Sequence, residues 1–158
     1  MTPWIPVRMT ITIRSASPKE PQATALLQAS HALMQSLFDP EDNHYLEIDE
    51  LCIPSIHFFV AEENDDVIGC GALAIKDGYG EVKSMFVDPK GRGKGVAALI
   101  LKQLTVAAEG AGVPMMKLET GDSLHAAHRL YERDGFQLCG PFGDYVENKS
   151  SVFYEKAI

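Results

Sequence analysis

The sequence predicts an α+β fold, in which a mixed and mostly antiparallel sheet of six to seven strands carries helices on both faces. Segments in which apolar residues recur at every second position are typical of strands. They are interleaved with segments in which apolar residues recur at three- and four-residue steps, which are typical of helices. The chain has 158 residues, 46% of them hydrophobic and 23% charged. This length suits one globular domain with a real core, and no linker or repeat divides it. We therefore expect residues 1–158 to form a single domain.

A short strand and a long helix open the chain. Ile11 begins the period-two pattern of the strand. Ser17 and Glu20 have the spacing of a capping box, although Pro21 equally marks a helix start. Pro40 and the residue before it end the helix. The helix places five apolar side chains on one face: Leu26, Leu27, Leu33, Met34 and Leu37.

Two further strands are predicted at residues 56–62 and 67–75, and the polar residues 63–66 between them favour a hairpin turn. Gly69 and Gly71 lie inside the second of these strands. Glycine at such positions indicates a bulge or a closely packed neighbour.

The next strand, residues 81–87, is followed by a glycine-rich turn and a helix. Glycines at 91, 93 and 95 are expected to permit positive φ and to let amide N–H groups approach a ligand. The first turn of the helix, which begins near Ala97, adds unpaired N–H groups and the positive end of its dipole. Together these features predict an anion site.

Two nucleotide-binding motifs do not fit this turn. A P-loop requires Ser or Thr after the Gly-Lys pair, and Gly95 stands there instead. A dinucleotide fingerprint requires a third glycine where the chain has Val96. For this segment taken alone, the alternative to an anion site is a glycine-rich connection that binds no ligand.

The remaining elements are a strand at residues 115–120 that leads to Gly121, a helix at 123–134, and strands at 136–139 and 151–156. A helix crosses over between the strand at 81–87 and the strand at 115–120. We therefore expect those two strands to pair in parallel.

Two segments of the C-terminal half resemble motifs of the GNAT superfamily of N-acetyltransferases. The Arg-x-x-Gly-x-Ala pattern from Arg92 to Ala97 is similar to its coenzyme A pyrophosphate motif, and Leu130 to Phe136 is similar to its Leu-Tyr-x-x-x-Gly-Phe segment. The resemblance extends from about Ile11 to the end of the chain. It implies the GNAT fold, with a splayed pair of parallel strands that receives the pantetheine arm of acetyl-CoA.

The resemblance also implies which residues bind the donor. Backbone N–H groups of Met85, Phe86 and Val87 would stabilise the oxyanion and pair with the pantetheine amides. Leu124 stands where many relatives have an asparagine that contacts the cofactor. The pyrophosphate would be bound by six consecutive residues: Arg92, Gly93, Lys94, Gly95, Val96 and Ala97.

Acetyl transfer to an amine requires a base, an oxyanion site and an acid for the departing thiolate. By resemblance, Glu81 is the expected base, directly or through water, with Glu119 as the second choice. A glutamate that faces solvent or pairs with Lys83 is the alternative for Glu81. Tyr131 occupies the family position of the acid, and a core tyrosine with an ordinary hydroxyl partner is its alternative.

Five residues are expected to contact the acceptor: His44, Tyr45, Glu119, Asp144 and Tyr145. The first two lie in the acidic segment 39–50, where the alternative is a polar loop with a short helix. That segment would attract an ammonium substrate if it lies at the site. The last two lie in a Phe-Gly-Asp-Tyr loop, for which a tight turn anchored by an aromatic is the alternative.

Composition narrows the classes of binding partner that we expect. A net charge of −8 and a pI near 5.0 argue against nucleic acid and favour an amine substrate. The first residues lack a continuous apolar segment because Pro3, Pro6 and Arg8 interrupt it, and no run is long enough to cross a membrane. We therefore expect a cytoplasmic protein without membrane contact, and the resemblance allows a homodimer.

Neither the cysteines nor the histidines predict a metal site. Cys52, Cys70 and Cys139 are odd in number and far apart, so reduced thiols are expected. His125 and His128 would share a helix face but lack further ligands. The resemblance leaves two functions open. One is an N-acetyltransferase that uses acetyl-CoA and acts on a small amine, which we favour, or on an exposed protein amine. The other is a non-catalytic module that senses acyl-CoA.

Overall fold

A computed structural model describes residues 10–158. Within that range the strands are β1 (Ile11–Ser15), β2 (Ile56–Glu63), β3 (Asp66–Ile75), β4 (Gly80–Val87), β5 (Met115–Gly121), β6 (Gln137–Cys139) and β7 (Ser151–Ala157). The helices are α1 (Pro21–Leu37), α2 (Val96–Gly110) and α3 (His125–Arg133). The N-terminal positions Pro3, Pro6 and Arg8 lie outside the described residues. No helix in residues 10–158 combines the length and the hydrophobicity needed to cross a bilayer.

The strands form one seven-stranded sheet in the order β1-β2-β3-β4-β5-β7-β6. Every pair is antiparallel except β4 and β5, which are parallel because α2 connects them. The predicted mixed α+β sheet is therefore confirmed. The place of β7 was not predicted: it lies between β5 and β6 and pairs with β5 from Met115 to Gly121.

The two parallel strands separate soon after they meet. They pair only at Gly80 with Met116 and at Glu81 with Lys117. Farther along, β4 contains a bulge, because its register with β3 shifts across Gly71 and Ser84 takes a φ of 57°. The predicted splay is confirmed, and it opens a gap between the two strands.

Helices cover both faces of the sheet, as predicted. Leu27 of α1 is buried against Val60 of β2, whereas the next residue, Ala61, belongs to the core beneath α2. Consecutive residues of a strand point to opposite faces, so α1 and α2 lie on opposite sides of the sheet. Tyr131 of α3 is buried in the same core as α2.

The beginning of α1 decides between two predicted starts. The helix begins at Pro21, and the Ser17 segment forms a turn before it. The Ser17 amide donates a hydrogen bond to the Glu20 carboxylate at 3.2 Å, and Glu20 also pairs with Arg14 at 2.9 Å. The Glu20 side chain, at the capping-box spacing from Ser17, therefore stabilises the connection from β1 to α1 rather than the first turn of α1.

Gly69 permits α2 to pack closely on β3, as the sequence indicated for this strand. A Cβ atom at Gly69 would lie 2.7 Å from Cγ1 of Val96 and 3.1 Å from Cδ1 of Ile100. We expect Gly69→Ala to lower the free energy of unfolding by about 1–3 kcal/mol, because α2 must shift away from the sheet. Urea denaturation measures this change.

Gly110→Ala is the matched control for that substitution. A Cβ atom at Gly110 would meet nothing within 4 Å, and the residue is the last of α2. Its stability should change by less than about 0.5 kcal/mol, as is usual where no contact is altered. A Gly69→Ala protein as stable as Gly110→Ala would show that the helix is not held this closely.

Candidate active site

The connection from β4 to α2 has the geometry expected of an anion site. Gly93 and Gly95 have φ values of 77° and 75°, and Gly95 is the N-cap of α2. The first turn of the helix therefore starts from a left-handed residue without a side chain, and its N–H groups are available to a ligand.

Gly91 departs from the expectation of a positive φ. It ends a short 3₁₀ turn, Pro89–Gly91, and its φ is not in the left-handed region. A Cβ atom there would lie 3.1 Å from the carbonyl oxygen of Ile68 and 3.1 Å from Cγ1 of Val87. Close approach of β3, and not turn geometry, is thus the reason that glycine suits this position.

The two basic side chains of this turn, Arg92 and Lys94, have different surroundings. Arg92 is exposed. The Lys94 ammonium donates to Oε1 of Glu63 at 2.8 Å, and the Glu63 side chain is only 9% exposed. Lys94, which was expected at the pyrophosphate, therefore pairs with the protein itself.

An inner cavity lies in the gap between β4 and β5. The loop after α1, the bulge of β4, the end of β5 and helix α3 all contribute to its wall. Among its lining residues are Phe38, Asp42, His44, Tyr45, Lys83, Ser84, Met85, Glu119, Leu124 and Tyr131. The sequence predictions Glu119 and Tyr131, from separate elements, therefore meet in one cavity.

Glu119 carries a perturbed carboxyl group. Burial raises the pKa of Glu119 to about 7, and the charge of Glu81 adds to this rise. The Lys83 ammonium and a hydrogen bond with Ser151 act in the opposite direction on the same pKa. A carboxyl group with a pKa near neutrality can accept a proton at physiological pH.

Tyr131 is a buried tyrosine at the same cavity. Its ring packs edge-on against Phe136, with centroids 5.8 Å apart, and it is 6% exposed. Burial raises the pKa of Tyr131 above its ordinary value, and the charge of Glu119 contributes to the rise. The hydroxyl therefore keeps its proton across the working range of pH.

Glu81 is buried in a hydrogen-bonded network and does not face solvent. The Tyr145 hydroxyl donates to its Oε2 at 2.6 Å, and the Lys83 ammonium lies 3.4 Å from the same oxygen. Lys83 also donates to the Tyr145 hydroxyl at 2.8 Å and to the His44 carbonyl at 3.0 Å. The alternative predicted for Glu81, a pairing with Lys83, is thus observed, and Tyr145 is a third member of the network.

This network connects the loop at His44, strand β4 and the loop at Tyr145. On its other side lies an outer cavity, whose lining includes Tyr79, Glu81, Asp144 and Tyr145. His44, Tyr45 and Lys83 line both cavities. The five residues expected at the acceptor are therefore divided, with Glu119 on the inner side and Asp144 and Tyr145 on the outer side.

Two polar groups of the inner cavity have no partner in the described part of the chain, and sequence reasoning named His44 but missed Ser84. Ser84 Oγ and His44 Nε2 are buried, and neither has a hydrogen-bond partner among the described residues. The positive φ of Ser84 has no signal in the sequence, because serine is rare in that conformation. Lys83 was considered only as a partner of Glu81, although its two-residue spacing from Glu81 places both on one face of β4.

The described residues contain no group of three or more histidine, cysteine or acidic side chains that would hold a metal ion. His128, one of the pair considered from the sequence, has Nε2 2.8 Å from the Gly121 carbonyl oxygen. Cys70 is buried, and burial raises the pKa of its thiol to about 12. It is therefore a poor nucleophile.

Known proteins resemble this chain in sequence and in fold. A family model described as the Acetyltransferase (GNAT) family matches residues 24–136. A protein of Azospirillum brasilense named IAA acetyltransferase is 37% identical over 150 residues, which are 94% of this chain and 98% of that protein. The structure of a Klebsiella pneumoniae protein assigned as an acyl-CoA N-acyltransferase has a TM-score of 0.78 and 30% identity, covering 93% of this chain and 97% of its own. A GNAT acetyltransferase of Elizabethkingia anophelis with acetyl-CoA bound shares the fold at a TM-score of 0.70 and 21% identity, covering 94% and 98% of the two chains.

Proposed function

Because this chain belongs to the GNAT family of acetyltransferases, we propose that it transfers the acetyl group of acetyl-CoA to a primary amine of a small molecule. The observation that carries the proposal is the shared cavity of Glu119 and Tyr131 at the gap between β4 and β5. One group there has a pKa of about 7, and the other keeps its proton. This is the pairing of base and acid that acyl transfer to an amine requires.

The residues between β4 and α2 fit the donor. The left-handed Gly93 and Gly95 leave the N–H groups at the start of α2 open to the pyrophosphate, and exposed Arg92 lies beside them. The gap between the strands would take the pantetheine arm, beside the backbone of Met85, Phe86 and Val87. Acetyl-CoA supplies the activated thioester.

We assign the oxyanion site to the bulge of β4. At the bulge, Ser84 and Met85 leave the regular ladder with β3, because the register shifts across Gly71. Backbone N–H groups freed from a ladder can donate to an oxygen on which negative charge develops. Their position in the wall of the inner cavity supports this role.

The contacts favour Glu119 over Glu81 as the base. The Glu81 carboxylate accepts a hydrogen bond from Tyr145 and lies beside the Lys83 ammonium, so these contacts already engage its Oε2 within the protein. Glu119 lines the inner cavity with Tyr131, and its raised pKa suits proton transfer near neutral pH. In this proposal Glu81 maintains the wall between the two cavities by holding Tyr145.

Tyr131 is proposed as the acid that protonates the departing thiolate. The Tyr131 hydroxyl belongs to a buried side chain at the inner cavity, and its raised pKa keeps the proton on the hydroxyl until negative charge develops on the departing sulfur. After the reaction, Glu119 releases its proton to solvent and Tyr131 regains a proton from solvent, which restores the starting state.

A small acceptor suits the geometry of the inner cavity. The loop that contains Asp42 and the loop that contains Ser150 are joined across the inner cavity, where the Ser150 hydroxyl donates to Asp42 Oδ2 at 3.2 Å. Glu119 and Asp42 both line this cavity, and their charge favours an ammonium group.

The direct test measures release of free thiol from acetyl-CoA while the protein is incubated with a panel of small primary amines, amino acids and polyamines. We expect thiol release that depends on one class of amine, together with a product heavier than that amine by one acetyl group in mass spectrometry. Binding of CoA without thiol release from any amine would contradict the proposal and would favour an acyl-CoA sensor.

A further inference from the structure

The ion pair of Lys94 and Glu63 connects the donor turn to a rigid part of the sheet. Lys94 lies between Gly93 and Gly95, and its ammonium is 2.8 Å from Oε1 of Glu63. Glu63 is the last residue of β2 and is 8% exposed, so its carboxylate is one of the few buried charges of the described chain. The Lys94 side chain is 41% exposed, which leaves the turn itself at the surface.

Backbone hydrogen bonds hold the two ends of this turn, from the Arg92 N–H to the Pro89 carbonyl at 3.3 Å and from the Leu99 N–H to the Gly95 carbonyl at 3.1 Å. A Cβ atom at Gly93 or at Gly95 would meet nothing within 4 Å. Glycine is also the residue that loses most conformational freedom when it is ordered. Within residues 92–95, Lys94 forms the side-chain contact with another element, and the N–H groups of this segment must point at the pyrophosphate.

The other end of the pair is well fixed. Asn64 and Asp65 connect β2 to β3 and have φ values of 50° and 66°, as a two-residue hairpin turn of type I′ requires. Glu63 pairs with Asp66 across this hairpin and with Ile11 of β1 on its other side. A carboxylate on a strand that is paired on both sides, next to a tight hairpin, has a fixed position.

We propose that Glu63 is a positioning residue of the donor site, and that Lys94 serves as its partner rather than as a ligand of the phosphates. The pair holds the backbone of residues 92–95 in the conformation that presents the N–H groups. Lys94 also neutralises a buried carboxylate that would otherwise repel the pyrophosphate. This inference rests on the donor site of the proposed function.

The two roles of Lys94 give opposite expectations for one substitution. If Lys94 binds phosphate, Glu63→Gln releases it from a competing carboxylate and CoA binds more tightly. If the pair positions the turn, Glu63→Gln weakens CoA binding. Isothermal titration with CoA, at one salt concentration, distinguishes the two in a double-mutant cycle.

We expect Glu63→Gln to raise the Kd for CoA about three- to fivefold, the usual weight of a partly exposed ion pair. Lys94→Gln should raise it about tenfold, because it also leaves the buried carboxylate unpaired. The double variant should bind like Glu63→Gln alone. Lys94→Arg, which keeps the pair, should stay within about twofold of the wild type.

Hydrogen exchange of the unliganded protein gives a second measurement that does not depend on CoA or on the folding of the Glu63 variant. In Lys94→Gln the amides of residues 92–96 should exchange about tenfold faster, while those of β3 are unchanged. Lys102→Gln, which removes an exposed lysine of α2, is the control for charge and should change neither measurement.

Tighter or unchanged CoA binding in Glu63→Gln would overturn the inference, and so would unchanged exchange in Lys94→Gln. These outcomes are separate from those of the proposed function. A wild type that binds CoA and acetylates no amine contradicts acetyl transfer and leaves the cycle interpretable. A wild type that binds no CoA contradicts the donor site, and the exchange measurement still decides whether the pair holds the turn.

Discussion

Replacement of Tyr131 by phenylalanine is expected to lower kcat for thiol release by about two orders of magnitude, the usual contribution of a positioned general acid. The substitution removes one oxygen from a side chain that is 6% exposed and retains the ring that packs against Phe136 and Tyr154. The KM for acetyl-CoA should change little, because the thiolate needs the proton only as it departs. Steady-state kinetics with the best amine of the panel measure both constants.

Tyr154→Phe is the matched control. Tyr154 is a second core tyrosine, 2% exposed, whose ring centroid lies 6.2 Å from that of Tyr131. It is not part of the lining of either cavity. Its substitution should leave kcat within about twofold, since no reacting atom is changed. A Tyr131→Phe enzyme that retains half of the wild-type kcat would exclude the acid role.

Glu119→Gln should lower kcat/KM by about two orders of magnitude and should change its dependence on pH. The Glu119 carboxyl, with a pKa of about 7, must lose its proton before it can act as a base. Wild-type kcat/KM should therefore rise with pH through about 7 and reach a plateau above it. The glutamine variant should lack that step, and rates measured from pH 5.5 to 9 compare the two.

The same substitution should stabilise the protein at alkaline pH. The folded state keeps the proton of Glu119 up to about pH 7, whereas the unfolded state releases it near the ordinary glutamate pKa of 4.5. The folded state binds more protons in this window, so wild-type stability falls as pH rises from 4.5 to 7. Glu119→Gln should increase the free energy of unfolding at pH 8 by about 1–2 kcal/mol, and the difference should disappear near pH 4.

Glu81→Gln distinguishes the two carboxylates. It weakens the contacts of Tyr145 and Lys83 with the side chain at position 81 but leaves Glu119 in the inner cavity. We expect a higher KM for the amine, with the step in kcat/KM near pH 7 still present. If instead the step disappears in Glu81→Gln and survives in Glu119→Gln, Glu81 is the base and our assignment is wrong.

Local pattern was sufficient for most elements of this fold. The strand predicted at residues 67–75 and the helix predicted from the apolar steps of α2 both depend on local pattern, and both were confirmed within a few positions. The crossover helix also fixed the parallel pairing of β4 and β5. The place of β7 between β5 and β6 depends on contacts between distant segments, for which no short pattern exists.

The candidate site was predictable in its parts and less so in its arrangement. Motif spacing indicated Tyr131 and the turn around Gly93, because both depend on local backbone geometry. The burial of Glu81 depends on a loop that carries Tyr145, far along the chain. The bulge at Ser84 places an ordinary residue in a left-handed conformation, which composition does not signal. Lys94 was expected at the phosphates and instead pairs with Glu63, a residue that no motif includes.

The insertion of β7 between β5 and β6 makes the surroundings of Glu119 depend on β7. Among the described strands, β6 pairs with β7 alone, so its attachment to the sheet passes through β7. The pairing of β7 with β5 brings Phe153 opposite Glu119 and Tyr154 opposite Leu118. These contacts join segments that are distant in sequence, so their formation costs loop-closure entropy. A change that weakens this pairing therefore loosens the surroundings of Glu119 together with the edge of the sheet.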